Sequence, residues 1–160
     1  MIRPATINDA AAIVAIYNEY VLNTTITFEV DAVSVDEMAQ RIAEFSANHP
    51  YLVFEDGGKV LGYAYAHQWK ARAAYAHTWE TTVYVKSDAR HRGIGSLLMN
   101  ELIGASRQAG VRVLIACITE ENAPSVALHK MLGFQQVSCF KQVGYKFNRW
   151  LGVSDFELIL

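Results

Sequence analysis

The stretch Arg90-His91-Arg92-Gly93-Ile94-Gly95-Ser96 constrains the fold more than any other part of this chain. It follows directly on an alternating apolar run, Thr82-Val83-Tyr84-Val85, and opens a helix that the spacing predicts over Gly95 to Ala109. A further apolar run, Val111 to Ile118, comes next. Two strands joined through a helix must lie parallel in one sheet. The turn between strand and helix is also suited to an anion. Two glycines let the backbone approach a ligand closely. The first helical turn offers unpaired N–H groups and a positive dipole end, where phosphates settle. Arg90 and Arg92 add charge at the same place. A Walker loop is excluded, because no Lys-Ser/Thr pair follows the second glycine. A dinucleotide fingerprint fails at Leu98, where a third glycine is required.

The remaining elements are hairpins and capped helices. Met1 to Ala5 reads as a short strand and Asn8 to Leu22 as a helix, with Ile13, Ile16, Tyr17 and Tyr20 at helical spacing. Asn23 to Asp31 is a Thr-rich loop. Ser34-Val35-Asp36-Glu37 is a capping box that opens a second helix, buried through Met38, Ile42 and Phe45. Tyr51 to Glu55 and Lys59 to Trp69 are strands joined by the turn Asp56-Gly57-Gly58. A loop at Lys70 to Ala74 leads into a third strand, Tyr75 to Lys86. Asn122 reads as the N-cap of another helix and Gly133 as its left-handed stop, with Leu128 and Leu132 as the buried stripe. Two strands close the chain, the last buried through Leu158-Ile159-Leu160. Hairpins first and strand–helix–strand later indicate an α+β fold on one mixed sheet.

With 160 residues, the chain is expected to form one domain, 1–160. The net charge of −2 provides no basic field for nucleic acid or an anionic membrane. No apolar run approaches the roughly 18 residues of a membrane span, and no hydrophobic leader opens the sequence. Cys117 and Cys139 lie in strand-like apolar surroundings and read as buried free thiols of a reducing, cytoplasmic compartment. No histidine spacing suits a metal; His49, His67, His77 and His91 read as surface or strand residues, with His77 at the start of the third strand and so the nearest to the opening before the anion loop.

The pattern Arg90-x-x-Gly93-x-Gly95 resembles the pyrophosphate loop of the GNAT superfamily of N-acetyltransferases. Asn122-Ala123-Pro124-Ser125 through Leu128-His129 to Gly133-Phe134 resembles that superfamily's second coenzyme A segment. Ile2-Arg3-Pro4, Ile16-Tyr17-Asn18, Thr24 to Glu29, Gly62 to Ala66, Arg72 to Tyr75, His77 to Glu80 and Val143 to Phe147 narrow the resemblance. Together they are similar to the phosphinothricin and methionine sulfoximine N-acetyltransferase family, nearly end to end. The resemblance implies a GNAT-like three-layer fold: a mixed, mostly antiparallel sheet, splayed between two parallel strands and flanked by about four helices. It implies acetyl-CoA as co-substrate, no metal, a small amine acceptor and a homodimer. The coenzyme would lie along the main chain of Val83, Tyr84 and Val85. Arg90, His91, Arg92, Gly93, Ile94, Gly95 and Ser96 would cradle its diphosphate, and Asn122 and Ser125 its pantetheine arm. Phe28, Glu29, Lys70, Arg72, Tyr75, Thr81, Thr82 and Lys146 would surround the acceptor.

Acetyl transfer from a thioester needs a deprotonated amine, donors for the developing oxyanion and a proton for the leaving sulfur. Glu80 is the candidate general base: a carboxylate in a partly dry cleft has a raised pKa. Its plain alternative is an ion pair with Arg72 or Lys146, or exposure to water. His129 is the candidate proton donor; its plain alternative is a bond to a helix carbonyl. Arg72 has the fork that suits a carboxylate or sulfone, or is a solvated loop residue. Three departures from the family stand out. Trp79 takes the middle place of the family's Thr-Val-Glu, whose glutamate matches Glu80. His91 replaces a frequent glycine, and Trp150-Leu151-Gly152 replaces Trp-x-Asp. An acceptor such as a polyamine, aminoglycoside or protein N-terminus, or a silent acyl-CoA sensor, are the competing expectations.

Overall fold

The computed structural model describes residues 1–160. Its elements run β1 (Ile2–Pro4), α1 (Ala10–Asn23), α2 (Val35–Ser46), β2 (Tyr51–Asp56), β3 (Lys59–Gln68), β4 (Thr78–Val85), α3 (Ile94–Gln108), β5 (Val113–Thr119), α4 (Ala123–Met131), β6 (Gln135–Gln136), β7 (Phe140–Lys146) and β8 (Arg149–Ile159). One sheet has the order β1-β2-β3-β4-β5-β8-β6, with β7 also on β8. Only β4 and β5 pair in parallel, as the helix between them requires. The expected α+β architecture with four helices is the observed one.

Local chemistry explains the shifts at element ends. α1 starts two residues later than predicted. Asp9 folds back on the Thr6 N–H (2.8 Å) and on Arg3 (2.8 and 2.9 Å), so Ile7–Asp9 forms a 3-10 turn first. The third strand begins at Thr78 rather than Tyr75, because Ala73–Tyr75 is a 3-10 turn. Gly57 and Gly58 both have positive φ, 57° and 75°, which this two-residue hairpin demands. Ile159 is exposed, so the last strand is not buried to its end.

The sheet separates two cores. Leu98, Met99 and Leu102 of α3 pack with Ala64, Leu114, Ala116 and Phe156 on one face. Ile13, Ile16, Tyr17 and Val21 of α1 and Ile42 of α2 pack with Tyr51, Val53 and Tyr63 on the other. On α4 the fully buried side chain is His129, while Leu128 and Leu132 only partly cover the first core.

Gly152 has a neighbour that accounts for the missing aspartate side chain. A Cβ there would meet Oε2 of Glu120 and lie 2.7 Å from its Cδ and 2.8 Å from the Phe140 carbonyl oxygen. Glu120 already holds Lys141 and the Cys139 thiol in that space. Gly152→Asp is therefore expected to lower stability by about 1–3 kcal/mol, as overpacking does. Thermal unfolding should show a lower Tm, part of which Glu120→Ala recovers in the double variant.

Candidate active site

β4 and β5 are paired only from Thr78 to Glu80 and from Val113 to Ile115. Beyond Glu80 they part, and the opening between them is the site. Trp69 N–H bonds the Thr78 carbonyl and Lys86 N–H the Leu61 carbonyl. With the β3–β4 register, these bonds give Glu80, Thr82 and Tyr84 to β3. The alternate residues Thr81, Val83 and Val85 turn their main-chain groups toward the opening. The Val85 carbonyl accepts from the Tyr20 hydroxyl, which leaves Val83 with both groups free of β3 and β5.

One arm of the opening is a cavity of about 410 Å³. Val83, Tyr84, Val85, Arg90, His91, Gly93, Ile94, Gly95, Ser96, Asn122 and Ser125 all line it, together with Tyr20 and Leu128. Gly93 has φ 77° and caps α3, so the N–H groups of Ile94, Gly95 and Ser96 have no helical partner. Arg90 lies over the Tyr20 ring, 5.1 Å from its centroid. Such an end takes a phosphate through its amides and dipole, and the long apolar arm beyond suits a pantetheine chain. Acetyl-CoA fits this shape and donor set. Asn122 caps α4 by accepting the Ser125 N–H at 3.3 Å.

The second arm is a chamber of about 320 Å³ lined by Ile26, Thr27, Phe28, Glu80, Thr81, Thr82, Cys117, Thr119, His129 and Val153 among others. Glu80 carries the only formal charge in its lining. Burial raises the Glu80 carboxyl above its ordinary 4.5; His67 and the Cys117 thiol pull it back less. His67 is its direct partner across β3, which places the two side chains on one face. Cys117 faces Asp155 across β8, and burial beside both carboxylates pushes its thiol up. A thiol held protonated in this way is a poor nucleophile. The expectation of buried thiols is corrected: Cys117 opens onto the chamber and Cys139 onto the surface.

His129 is 3% exposed. Its Nδ1 lies 2.8 Å from the Ser125 carbonyl oxygen, so Nδ1 carries the proton that this contact requires. Nε2 remains as an acceptor, and burial lowers the ring's pKa. At neutral pH the ring holds no proton on Nε2 to give away.

Residues 2–152 match the acetyltransferase (GNAT) domain family. The chain belongs to the GNAT acetyltransferase family. This GNAT enzyme is an acetyl-CoA-dependent N-acetyltransferase. It is 40% identical to the L-methionine sulfoximine/L-methionine sulfone acetyltransferase of Pseudomonas paraeruginosa, over 99% of this chain and 94% of that one. It is 38% identical to the phosphinothricin N-acetyltransferase of Streptomyces viridochromogenes, over 98% and 88%. The crystal structure of a GNAT superfamily phosphinothricin acetyltransferase from Sinorhizobium meliloti in complex with acetyl-CoA superposes with a TM-score of 0.96. That match has 38% identity, 100% coverage of this chain and 88% of the other.

Several candidate residues of the acetyltransferase stand outside both cavities. Arg92 pairs with Asp56 at 3.0 Å. Lys70 lies over the Trp69 ring at 4.1 Å and near Tyr75 at 5.5 Å, and Arg72 is exposed beside them. Glu29 pairs with Arg41 at 2.7 Å. Lys146 is buried and donates from Nζ to the Thr27 carbonyl at 2.9 Å. None of these, Tyr75 included, lines the chamber. His77 contacts the Gly110 carbonyl and lies apart from it as well. The sequence reading missed Tyr20, Ile26, Thr27, Cys117, Thr119 and Val153. Cys117 alone carried a usable signal: it alternates with Ile115, the β5 partner of Glu80, and so shares the face of that carboxylate.

Proposed function

We propose that the chain acetylates the primary amine of a small amino-acid-like acceptor of the methionine sulfone, methionine sulfoximine or phosphinothricin type. The amine approaches Glu80, which removes its proton. The single observation that carries this reading is a half-buried carboxylate with no lysine or arginine partner, at the point where the sheet opens. When bound, acetyl-CoA supplies the activated thioester. The Val83 amide is placed to receive developing negative charge. His129 Nε2 takes a proton shed by the attacking nitrogen and hands it to the departing sulfur. The two free cysteines support a cytoplasmic location. No helix is long and apolar enough to cross a membrane. Phe140, Val143, Tyr145, Phe147 and Trp150 are each more than half exposed on the β7–β8 hairpin. Such a face supports a homodimer.

One observation favours a second reading, an amine without an acid group: no arginine or lysine lines the chamber. Thiol release from acetyl-CoA should decide between them, with methionine sulfone, methionine sulfoximine, phosphinothricin, spermidine and a peptide amine as acceptors. Turnover should be confined to the first three. Turnover of spermidine or the peptide alone would overturn the amino-acid assignment.

A further inference from the structure

We infer that Gly144 sets the width of the acceptor chamber by seating the ring of Phe28, and so determines which acceptor side chains fit. The inference rests on the reading of the Glu80 chamber as the acceptor site. Phe28 lines that chamber, and one edge of its ring, Cδ2, Cε2 and Cζ, abuts β7 at Gly144. A Cβ at 144 would stand 2.6 Å from Cζ and 2.9 Å from Cδ2 of Phe28, and closer still to Cε2. These are ring atoms, not the end of a flexible chain, so the whole ring must move. Gly144 is absent from the positive-φ positions, so the glycine is needed for space and not for backbone freedom.

The loop that carries Phe28 cannot back away to make that room. Lys146, two residues along the same face of β7, holds the Thr27 carbonyl at 2.9 Å. The Thr27 hydroxyl is bonded to Tyr17 at 2.8 Å. Thr119 Oγ1 donates to the Thr25 carbonyl at 3.0 Å, and the Thr25 hydroxyl bonds Glu121. With the main chain pinned on the N-terminal side of Phe28, the ring can only swing about its side-chain torsions. Its swing changes the wall that faces Glu80. Lys146 thereby finds a role as a positioning residue for the wall, in place of direct contact with the acceptor.

The test compares methionine sulfone with S-methylcysteine sulfone, one methylene shorter. One methylene in an apolar pocket changes selectivity by about 10- to 200-fold. Gly144→Ala should shift the ratio of kcat/KM toward the shorter acceptor by about tenfold, through the acceptor KM, with the KM for acetyl-CoA unchanged. Phe28→Ala should shift the ratio the other way. The double variant Gly144→Ala/Phe28→Ala should match Phe28→Ala, because the added methyl then meets nothing. If Phe28→Ala changes the ratio and Gly144→Ala does not, the role of Gly144 is overturned while the chamber stands. If neither changes it, the acceptor does not sit in this chamber, and the functional reading fails with the inference. Should Gly144→Ala fold poorly, the double variant Gly144→Ala/Phe28→Ala should fold again, because the ring that the methyl meets is gone; a double variant that also folds poorly would overturn the contact.

Discussion

Glu80→Gln is expected to lower kcat by about 10²- to 10⁴-fold, the usual contribution of a general base. The dissociation constant for acetyl-CoA should stay as it is. The reason is geometric: Glu80 lines the acceptor chamber, whereas the coenzyme arm is lined by other residues. Glutamine keeps the shape and loses only the basic oxygen. Stopped-flow turnover with methionine sulfone, beside calorimetric titration of acetyl-CoA, separates the two effects. A silent acyl-CoA sensor would bind as before and show no turnover to lose; equal loss in both measurements would make Glu80 a structural residue.

The pH dependence follows from the direction of the shift. Burial raises the Glu80 pKa above 4.5, against smaller opposing effects from His67 and Cys117. The basic form is then lost at a higher pH than for an ordinary carboxylate, so the acid limb of kcat/KM should lie above 4.5. Stability has the opposite sign. A carboxyl whose folded pKa is raised favours folding when protonated, fully so below 4.5, and that contribution disappears as pH rises through the folded value. Wild type therefore carries a desolvated charge at pH 7 that Glu80→Gln lacks. The variant should have the higher Tm at pH 7, and the difference should vanish toward pH 4. A loss of Tm at pH 7 would mean that Glu80 holds a structural bond.

What the sequence revealed and what it hid divides by range. The anion loop was legible because its parts are consecutive: the strand, two glycines, two arginines and the helix start fall within 82–96. Glu80 was singled out mainly by the family resemblance, because one carboxylate in a Thr-rich strand carries little local signal of its own. The caps at Ser34 and Asn122 were legible because each acts within three residues. Chamber residues such as Thr27, Thr119 and Val153 meet only after the sheet forms, and no local pattern marks them. Lys146 shows the same limit. Its partner is a carbonyl 119 residues away, so an exposed-looking lysine in a hairpin became a buried strut. Arg72 erred the other way: a fork suited to an acid group says nothing of where its loop ends up.

Gly93→Val should raise the KM for acetyl-CoA at least tenfold and leave kcat at saturation within about twofold, the mark of lost uniform binding. Gly93 has φ 77° with nothing within 4 Å of an added Cβ, so the substitution acts through the backbone alone. A left-handed conformation costs an ordinary residue about 1–2 kcal/mol, and a β-branched one is the least tolerant. About 1.4 kcal/mol is a factor of ten in binding. The strain relaxes by turning the loop, and the N–H groups of Ile94, Gly95 and Ser96 turn with it, away from the diphosphate. Asparagine visits the left-handed region readily. Gly93→Asn should therefore stay within a few-fold of wild type, although it adds a longer side chain than alanine would. If asparagine and valine weaken acetyl-CoA equally, the cause is bulk at the ligand and the backbone account fails. If neither does, the amides at the start of α3 do not hold the coenzyme.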